Sequence, residues 1–297
     1  MSDGCRWHAR HGPIDLILDV EGDDDAVHDA LAAARRRFHG LLDELVGELP
    51  ELRRVLDARP HRLNGDVARA MLVAVEPYRE QCVTPMAAVA GAVADRLLDA
   101  LCAAAPLRRA SVNNGGDVAL FLAPGESYTF GLCGDIAKRR ESARISIGAD
   151  SGIGGVATSG WRGRSHSLGI ADAVTVLAPS AAAADAAATL IANAVDLPDS
   201  TAIRRQAAST LSPDSDLGER AVTVGVDILR AEERELALAR GEHVALHAVA
   251  SGSVLAVRLE LQASTRFVST RQPADIAGTA WGLAMSEQIA RGQTWNM

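Results

Sequence analysis

Two polar residues beyond the middle of the chain have a spacing that suits a metal ion. Asp185 and Thr189 lie four positions apart in an alanine-rich segment that predicts a helix, so both side chains fall on one helix face. A carboxylate and a hydroxyl are hard oxygen ligands. Mg²⁺ accepts a few such protein ligands because it keeps several of its waters. The pair is therefore a candidate magnesium site, and the alternative is a solvated aspartate beside a threonine that only packs.

A turn rich in asparagine and glycine provides a second candidate site. It lies between two short predicted strands and consists of Asn113, Asn114, Gly115, Gly116 and Asp117. Because glycine has no side chain, its backbone amide can approach a ligand closely, and Asp117 would orient a polar group of that ligand. The same residue types also make an ordinary hairpin turn, so a binding turn and a structural turn both remain open.

A glycine-rich stretch follows at 148–163. Part of it, Gly-Ile-Gly-Gly-Val-Ala, is similar to the dinucleotide-binding pattern, but that pattern requires a helix directly after the glycines. The residues that follow cannot sustain one. We interpret the stretch as a substrate loop in which Thr158 and Ser159 offer hydroxyls and Arg162 and Arg164 contact an anion. The alternative is a surface loop with two solvated arginines.

The candidates for a catalytic role are His166, Asp172 and Ser159. A histidine can shuttle a proton near neutral pH, and His166 is the only histidine within residues 111–200. Asp172 is the alternative group for proton transfer, and Ser159 offers a hydroxyl in the same region.

A pair of histidines, His243 and His247, also lies four positions apart. No glutamate follows the first of them, as it does in the zinc-binding motif of metalloproteases. The Val-Ala-Leu segment between them predicts a short strand near 243–250. We therefore interpret both histidines as structural or surface residues.

The order of several motifs resembles the ApbE family. That family has a glycine-containing helix ending in aspartate, a Gly-Gly-Asp turn, an Ala-Thr-Ser-Gly segment and an Ala-Asp-x-x-x-Thr segment. The matching residues here are 83–95, 112–119, 155–161 with 172–176, and 184–189. The family moves FMN from FAD onto a threonine or serine of a protein, with magnesium. The whole chain, including Ser-Asp-Leu-Gly at 215–218, looks still more like a branch of this superfamily without an assigned reaction.

The resemblance implies roles for individual residues. Asp185 and Thr189 match the metal residues of the family, and FAD is implied as a ligand or substrate. His166 is similar in position to a catalytic histidine that follows Ala-Thr-Ser-Gly, but in the family that histidine leads into an Asp-Pro-x-Thr-Gly segment that this chain lacks. The family also has a lysine where this chain has Ala90, directly before Gly91.

Hydrophobic periodicity and turn signals predict one α+β domain over 1–297, with mixed or antiparallel sheets and packed alanine-rich helices. The predicted helices are 26–49, 66–76, 86–105, 180–195 and 230–240. The predicted strands are 13–20, 110–113, 117–122, 127–133, 143–148, 173–178, 221–229, 243–250 and 253–261. Residues 199–218 are predicted as loop, and 273–297 as loop and helix.

The acidic composition narrows the choice of partners. A formal net charge of −8 argues against nucleic acid or a membrane surface, because phosphate binding needs clustered lysine and arginine. The N-terminus has no apolar region of a secretory signal, and no run is apolar and long enough for a membrane span. The cysteines form no C-x-x-C pair. These features predict a cytoplasmic protein with reduced thiols, and the alanine-rich helices are compatible with a homo-oligomer.

Together the motifs predict an enzyme that uses magnesium to cleave or transfer at a flavin or nucleotide diphosphate. Two alternatives remain. The first is the same fold acting on a different small anionic metabolite held by Arg162 and Arg164, which the missing lysine and Asp-Pro segment favour. The second is a flavin-binding protein without turnover.

Overall fold

The structure, a computed structural model, describes residues 5–132 and 143–269. Its strands are β1 (Cys5–His11), β2 (Ile14–Glu21), β3 (Arg109–Asn114), β4 (Asp117–Leu122), β5 (Ser127–Leu132), β6 (Ala143–Gly148), β7 (Gly155–Ser159), β8 (Ala173–Ala178), β9 (Ile203–Ala207), β10 (Ala221–Val226), β11 (Ala256–Leu261) and β12 (Ser264–Ser269). Its α-helices are α1 (Asp24–Phe38), α2 (Leu41–Leu52), α3 (Asp66–Val75), α4 (Val89–Ala104), α5 (Ala181–Ala194), α6 (Ala208–Leu211) and α7 (Ala231–Ala250). Short 3₁₀ turns lie at Glu76–Gln81, Pro85–Ala88 and Ala149–Ser151.

An eight-stranded sheet forms the centre of the fold. Its strand order is β1-β2-β3-β4-β7-β8-β11-β12, and every neighbouring pair is antiparallel. The strands β5 and β6 form a separate hairpin, and β9 and β10 form another two-stranded sheet. The predicted α+β class with antiparallel sheets and packed alanine-rich helices is therefore confirmed.

Helices cover one face of the central sheet. In β2 the buried residues Leu16, Leu18 and Val20 alternate with residues that point to the other face, as the pleat of a half-covered strand requires. Helices α1, α4 and α5 pack on the buried side. On the opposite side, Ile145 and Ile147 of the β5–β6 hairpin pack against apolar residues of β4 and β7. The sheet thus lies between a helical layer and a hairpin.

The helices α4 and α5 are joined by two reciprocal contacts. The carboxylate of Asp95 on α4 accepts hydrogen bonds from the first amides of α5, at 2.9 Å from both Ala181 and Ala182. In return, Asp185 on α5 accepts a bond of 2.9 Å from the amide of Gly91 near the start of α4. The first amides of a helix have no partner within the helix, so each helix satisfies the start of the other with a carboxylate.

The backbone conformation corrects one helix prediction. The predicted helix 26–49 is two helices, α1 and α2, because Gly40 between them has φ of 82°. A left-handed residue ends a helix, and glycine adopts this conformation without steric cost.

Packing explains the other differences. Residues 243–250 are helix and not strand, because α7 buries Ala237, Gly241, Ala245 and Ala248 at helical spacing. Strands β7 and β9 lie in segments predicted as loop, and β1 and β12 are additional strands at the two sheet edges. The predicted loop and helix at 273–297 lie outside the described residues. Across 5–132 and 143–269, none of the helices has the length and apolar character that a bilayer span requires.

Candidate active site

A cavity of about 450 Å³ opens where the β3–β4 turn, the end of β7 and helix α5 meet. It is lined by most of the residues singled out in the sequence, namely Asn113, Gly115, Gly116, Asp117, Thr158, Ser159, Arg162, Arg164, Asp172, Asp185 and Thr189. The fold therefore brings the glycine turn, the arginine segment and the proposed metal pair to one place. Among the predicted site residues, Asn114 and His166 do not line this cavity.

Asp185 is held at the cavity by the start of α4. The amides of Gly91 and Ala90 both donate to its carboxylate. Gly91 makes this approach possible, because a Cβ atom added there would lie only 2.2 Å from the backbone oxygen of Ala181. Burial raises the pKa of Asp185 to about 7, although the amide bonds oppose the shift.

A second carboxylate lies close to the first. Burial and the charge of Asp185 both raise the pKa of Asp117, while the amide of Thr158 donates to it and opposes the shift. Thr189, one helical turn beyond Asp185, lines the same cavity. The floor thus combines two mutually repelling carboxylates with a hydroxyl.

This set of oxygen atoms suits Mg²⁺. A carboxylate offers about four acceptor positions, so the carboxylate of Asp185 can accept the two amide bonds and still bind a metal ion. Within 5–132 and 143–269 there is no cluster of three or more His, Cys, Asp or Glu side chains that could hold an ion. Few protein ligands and hard oxygen donors are what Mg²⁺ accepts, because it retains several waters.

The glycine turn faces the cavity through its backbone. Gly115 and Gly116 have φ of 69° and 121°, and the Gly116 amide donates to the side-chain oxygen of Asn113 at 2.9 Å. Asn114 is buried, and its side chain donates to the backbone oxygen of Ala90 at 3.1 Å. Asn114 therefore ties the turn to the start of α4 and does not face the cavity.

The two arginines differ in how they are held. Arg164 is exposed, and its guanidinium lies 4.0 Å from the position that a Gly115 Cβ would occupy. Arg162 is fixed, since its Nε donates to Asp172 at 2.6 Å and its guanidinium stacks 4.5 Å from the Trp161 ring centre. Arg164 thus places a positive charge beside the glycine turn, and Arg162 places a second one at the cavity wall.

Asp172 anchors a loop. In addition to Arg162, its carboxylate accepts hydrogen bonds from the Trp161 indole at 3.2 Å and from the Gln262 amide at 2.6 Å. These donors occupy both carboxylate oxygens. The geometry therefore gives Asp172 the task of holding the arginine loop against the β11–β12 turn.

The other two catalytic candidates occupy different surroundings. Ser159 ends β7 and lines the cavity, beside Thr158, whose hydroxyl bonds that of Thr175 at 3.0 Å. His166 is exposed, just beyond the cavity-lining residue Ser165. The hydroxyl is therefore at the cavity wall and the imidazole is outside it.

Part of the cavity lining consists of residues that no sequence motif indicates. Asp15 and Ile17 of β2 and Phe130 of β5 line the cavity, and Asp15 bonds His8 of β1 at 2.6 Å between Oδ1 and Nε2. The alternation of β2 places Asp15 and Ile17 on the sheet face without helices. The alternation in the sequence of β2 is enough to predict that Asp15 and Ile17 share this face. Only the fold shows that the cavity extends to this face.

A family model described as "AbpE bacteria" matches residues 1–268 of the chain. The chain belongs to this family. The predicted resemblance is thereby confirmed.

Relatives in methanogenic archaea carry the name UPF0280 protein. The one from Methanopyrus kandleri is 38% identical over 165 residues, which cover 55% of this chain and 64% of that protein. The one from Methanothrix thermoacetophila is 41% identical over 114 residues and is covered over 46% of its length. The chain therefore spans less than two thirds of these relatives. The match to the Methanoculleus marisnigri protein is 32% identical and covers 63% of this chain and 74% of the relative.

Two solved structures align over most of the chain. The flavin transferase ApbE from Vibrio cholerae has 12% identity and a TM-score of 0.49, covering 90% of this chain and 97% of that one. The ApbE protein from Thermotoga maritima has 13% identity and a TM-score of 0.45, covering 91% and 97%.

Proposed function

We propose that the protein is an enzyme that cleaves or transfers at the diphosphate of FAD or a related nucleotide, with Mg²⁺ held by Asp185 and Thr189. The family membership supports the flavin class of substrate. The observation that carries the proposal is the pair of carboxylates at the cavity floor, Asp117 and Asp185, whose pKa values are both raised.

Paired buried carboxylates cost free energy unless a cation or a proton lies between them. At about 4 Å and an effective dielectric of about 20, one pair of opposite unit charges contributes roughly 4 kcal/mol. A divalent cation would offset the repulsion between Asp117 and Asp185 and would also attract a diphosphate into an acidic protein. The hard oxygen donors of this floor fit magnesium in particular.

The bound ion would supply electrostatic stabilisation to the leaving phosphate. The remaining work falls to side chains and amides of the chain. The amide of Gly115 and the guanidinium of Arg164 are placed to bind phosphate oxygens, while the Gly116 amide is held by Asn113. Asp172 orients Arg162 along the wall, and Ser159 can orient the acceptor or a water through its hydroxyl. Proton transfer by His166 remains a prediction, and it would require the exposed ring to turn toward the cavity.

A different anionic metabolite is the second candidate function. Ala90 leaves the start of α4 without the lysine of the family, and its backbone oxygen accepts a bond from Asn114. The positive charge at this cavity comes instead from Arg162 and Arg164, in the segment after β7. A smaller carboxylate or phosphate could use those arginines without reaching α4. A flavin-binding protein without turnover is the third interpretation of the same cavity.

Incubation of the purified protein with FAD and Mg²⁺ tests the proposal. We expect AMP and FMN, or FMN attached to an added acceptor protein, separated by chromatography and identified by mass spectrometry. Thermal stabilisation by FAD without AMP would favour the non-catalytic binder. No AMP and no stabilisation by FAD would contradict the flavin proposal, and stabilisation by other small anions would then favour the second candidate.

A further inference from the structure

Two histidines lie against each other in the second half of helix α7, far along the chain from the cavity residues. His243 and His247 have ring centres 4.7 Å apart, and the ring planes meet at 75°. The spacing of four residues is close to one helical turn, so both rings stand on the same helix face. This arrangement exists only because residues 231–250 form one continuous helix.

Both rings are exposed and available. Within 5–132 and 143–269, the ring nitrogens of His243 and His247 have no hydrogen bond or ion pair. The charged neighbours on the helix are engaged elsewhere: Arg240 donates to a backbone oxygen at 2.9 Å, and Glu242 pairs with Arg266. The nitrogen lone pairs of the two imidazoles are therefore not used by these neighbours.

The helix holds the two rings in a fixed relation. Its inner face is buried along its length, through residues such as Ala237 and Ala245. A Cβ atom added at Gly241 would lie 2.2 Å from a side-chain atom of Val195, so α7 fits closely against the end of α5. Binding to both rings would thus need only rotation of side chains, which limits the entropy lost on binding.

We propose that His243 and His247 form a binding site for one divalent transition-metal ion of the borderline class, such as Ni²⁺, Cu²⁺ or Zn²⁺. Neutral imidazole nitrogen is the ligand these ions prefer in proteins, and their affinity for it exceeds that of Mn²⁺ or Fe²⁺. Two histidines at this helical spacing are also the zinc ligands of the metalloprotease helix motif. Water would fill the remaining coordination positions. The site is independent of the proposed magnesium pair, because Mg²⁺ selects oxygen ligands.

Isothermal titration with NiCl₂ tests the site, on the full chain without a polyhistidine tag and near neutral pH. The wild-type protein should bind one ion per chain. His243→Ala and His247→Ala should each weaken binding by about tenfold or more, since even the loss of a supporting residue around a metal costs about 10- to 100-fold. The matched control is His28→Ala, which removes a single exposed histidine from helix α1 and should leave the affinity unchanged.

Two further variants distinguish loss of a metal ligand on α7 from loss of the helix itself and from ion binding in the cavity. His247→Gln keeps the side-chain size and polarity and should lose binding as His247→Ala does, with circular dichroism reporting an intact helix. Asp185→Ala should retain Ni²⁺ binding. No binding by the wild type at millimolar NiCl₂, or equal binding by the wild type and both alanine variants at positions 243 and 247, would overturn the proposal. Loss of binding in Asp185→Ala alone would assign the ion to the cavity and would also overturn it.

Discussion

Helices α5 and α7 each carry two potential metal ligands at the same spacing, in opposite surroundings. On α5 the ligands are Asp185 and Thr189, which line a cavity, and Asp185 is also bonded to the start of α4. On α7 they are His243 and His247, which are exposed, have their rings in contact and make no hydrogen bond or ion pair among the described residues. Equal spacing places the two side chains of each pair on one helix face. The ligand atoms then determine which ion can bind. Burial determines how much free energy the unoccupied site costs, because buried polar groups without partners are unfavourable.

The two helices also begin in different ways. The first amides of α5 are bonded to Asp95, a buried residue of another helix. The start of α7 is bonded locally, since Glu233 accepts a hydrogen bond from the Arg230 amide at 2.9 Å. The α5 pair is therefore built into the core through α4, and the α7 pair depends on its own helix.

Asp185→Ala should have the largest effect on activity. The rate of FAD cleavage is expected to fall by at least about a hundredfold, because each loss of about 1.4 kcal/mol of stabilisation lowers a rate tenfold. The variant should also lose the rise in melting temperature that Mg²⁺ gives the wild type. Asp99→Ala, at an exposed position of α4, is the matched control and should keep both. An unchanged magnesium response in Asp185→Ala would refute the metal site.

Gly91→Ala should destabilise the fold by about 2 to 3 kcal/mol, because the new Cβ meets the α5 backbone and the helices must separate. Gly47→Ala is the control, since nothing lies within 4 Å of a Cβ in that α2 position. It should stabilise by up to about 1 kcal/mol, as alanine favours helix over glycine. Urea unfolding at equilibrium measures both. Similar changes in the two variants would mean that α4 and α5 are not in such close contact.

The burial of Asp95 against the start of α5 should make the free energy of unfolding depend on pH. Burial raises the pKa of Asp95 from 3.8 to about 6 in the folded protein, so folding favours the protonated form. Its contribution to stability is complete below pH 3.8 and is lost as the pH rises through 6.

Asp95→Asn removes the ionisable group, so comparison with this variant isolates the contribution of Asp95 ionisation to stability. Between these limits, the stability of the wild type relative to Asp95→Asn should fall by about 3 kcal/mol, at about 1.4 kcal/mol per unit of pKa. Urea unfolding of both proteins over this pH range is the measurement. A constant difference between them would show that the two helix amides fully compensate the burial.

His247→Ala should have the smallest effect. Without added metal, its free energy of unfolding should stay within about 0.5 kcal/mol of the wild-type value, because an exposed side chain without a hydrogen bond or ion pair among the described residues contributes little. The stability gain that NiCl₂ gives the wild type should disappear. A large loss of stability without metal would mean that the contact between the two histidine rings stabilises α7. The α7 pair would then contribute to the fold, as the α5 pair does.

The sequence alone determined the local geometry of the candidate site. Three features could be predicted from it: the spacing of Asp185 and Thr189, the turn at 113–117 and the order of the motifs. Helix pitch and turn chemistry depend on only a few neighbouring residues. The family follows from the same local motifs, and residues 1–268 match its model. The predicted α+β class also depended on such short-range patterns.

Tertiary packing determined which secondary structure several segments adopt and which residues surround the site. Gly154 and Gly155 looked like loop glycines, but in the fold they let β7 pass the start of α5, where an added Cβ would lie 2.2 Å from backbone atoms. Packing of α7 against α5, β11 and β12 made residues 243–250 part of a helix. It also placed Asp117 beside Asp185 and filled the carboxylate of Asp172 with donors. Contacts between distant segments depend on how whole layers fit together, and no pattern within a short window records that fit.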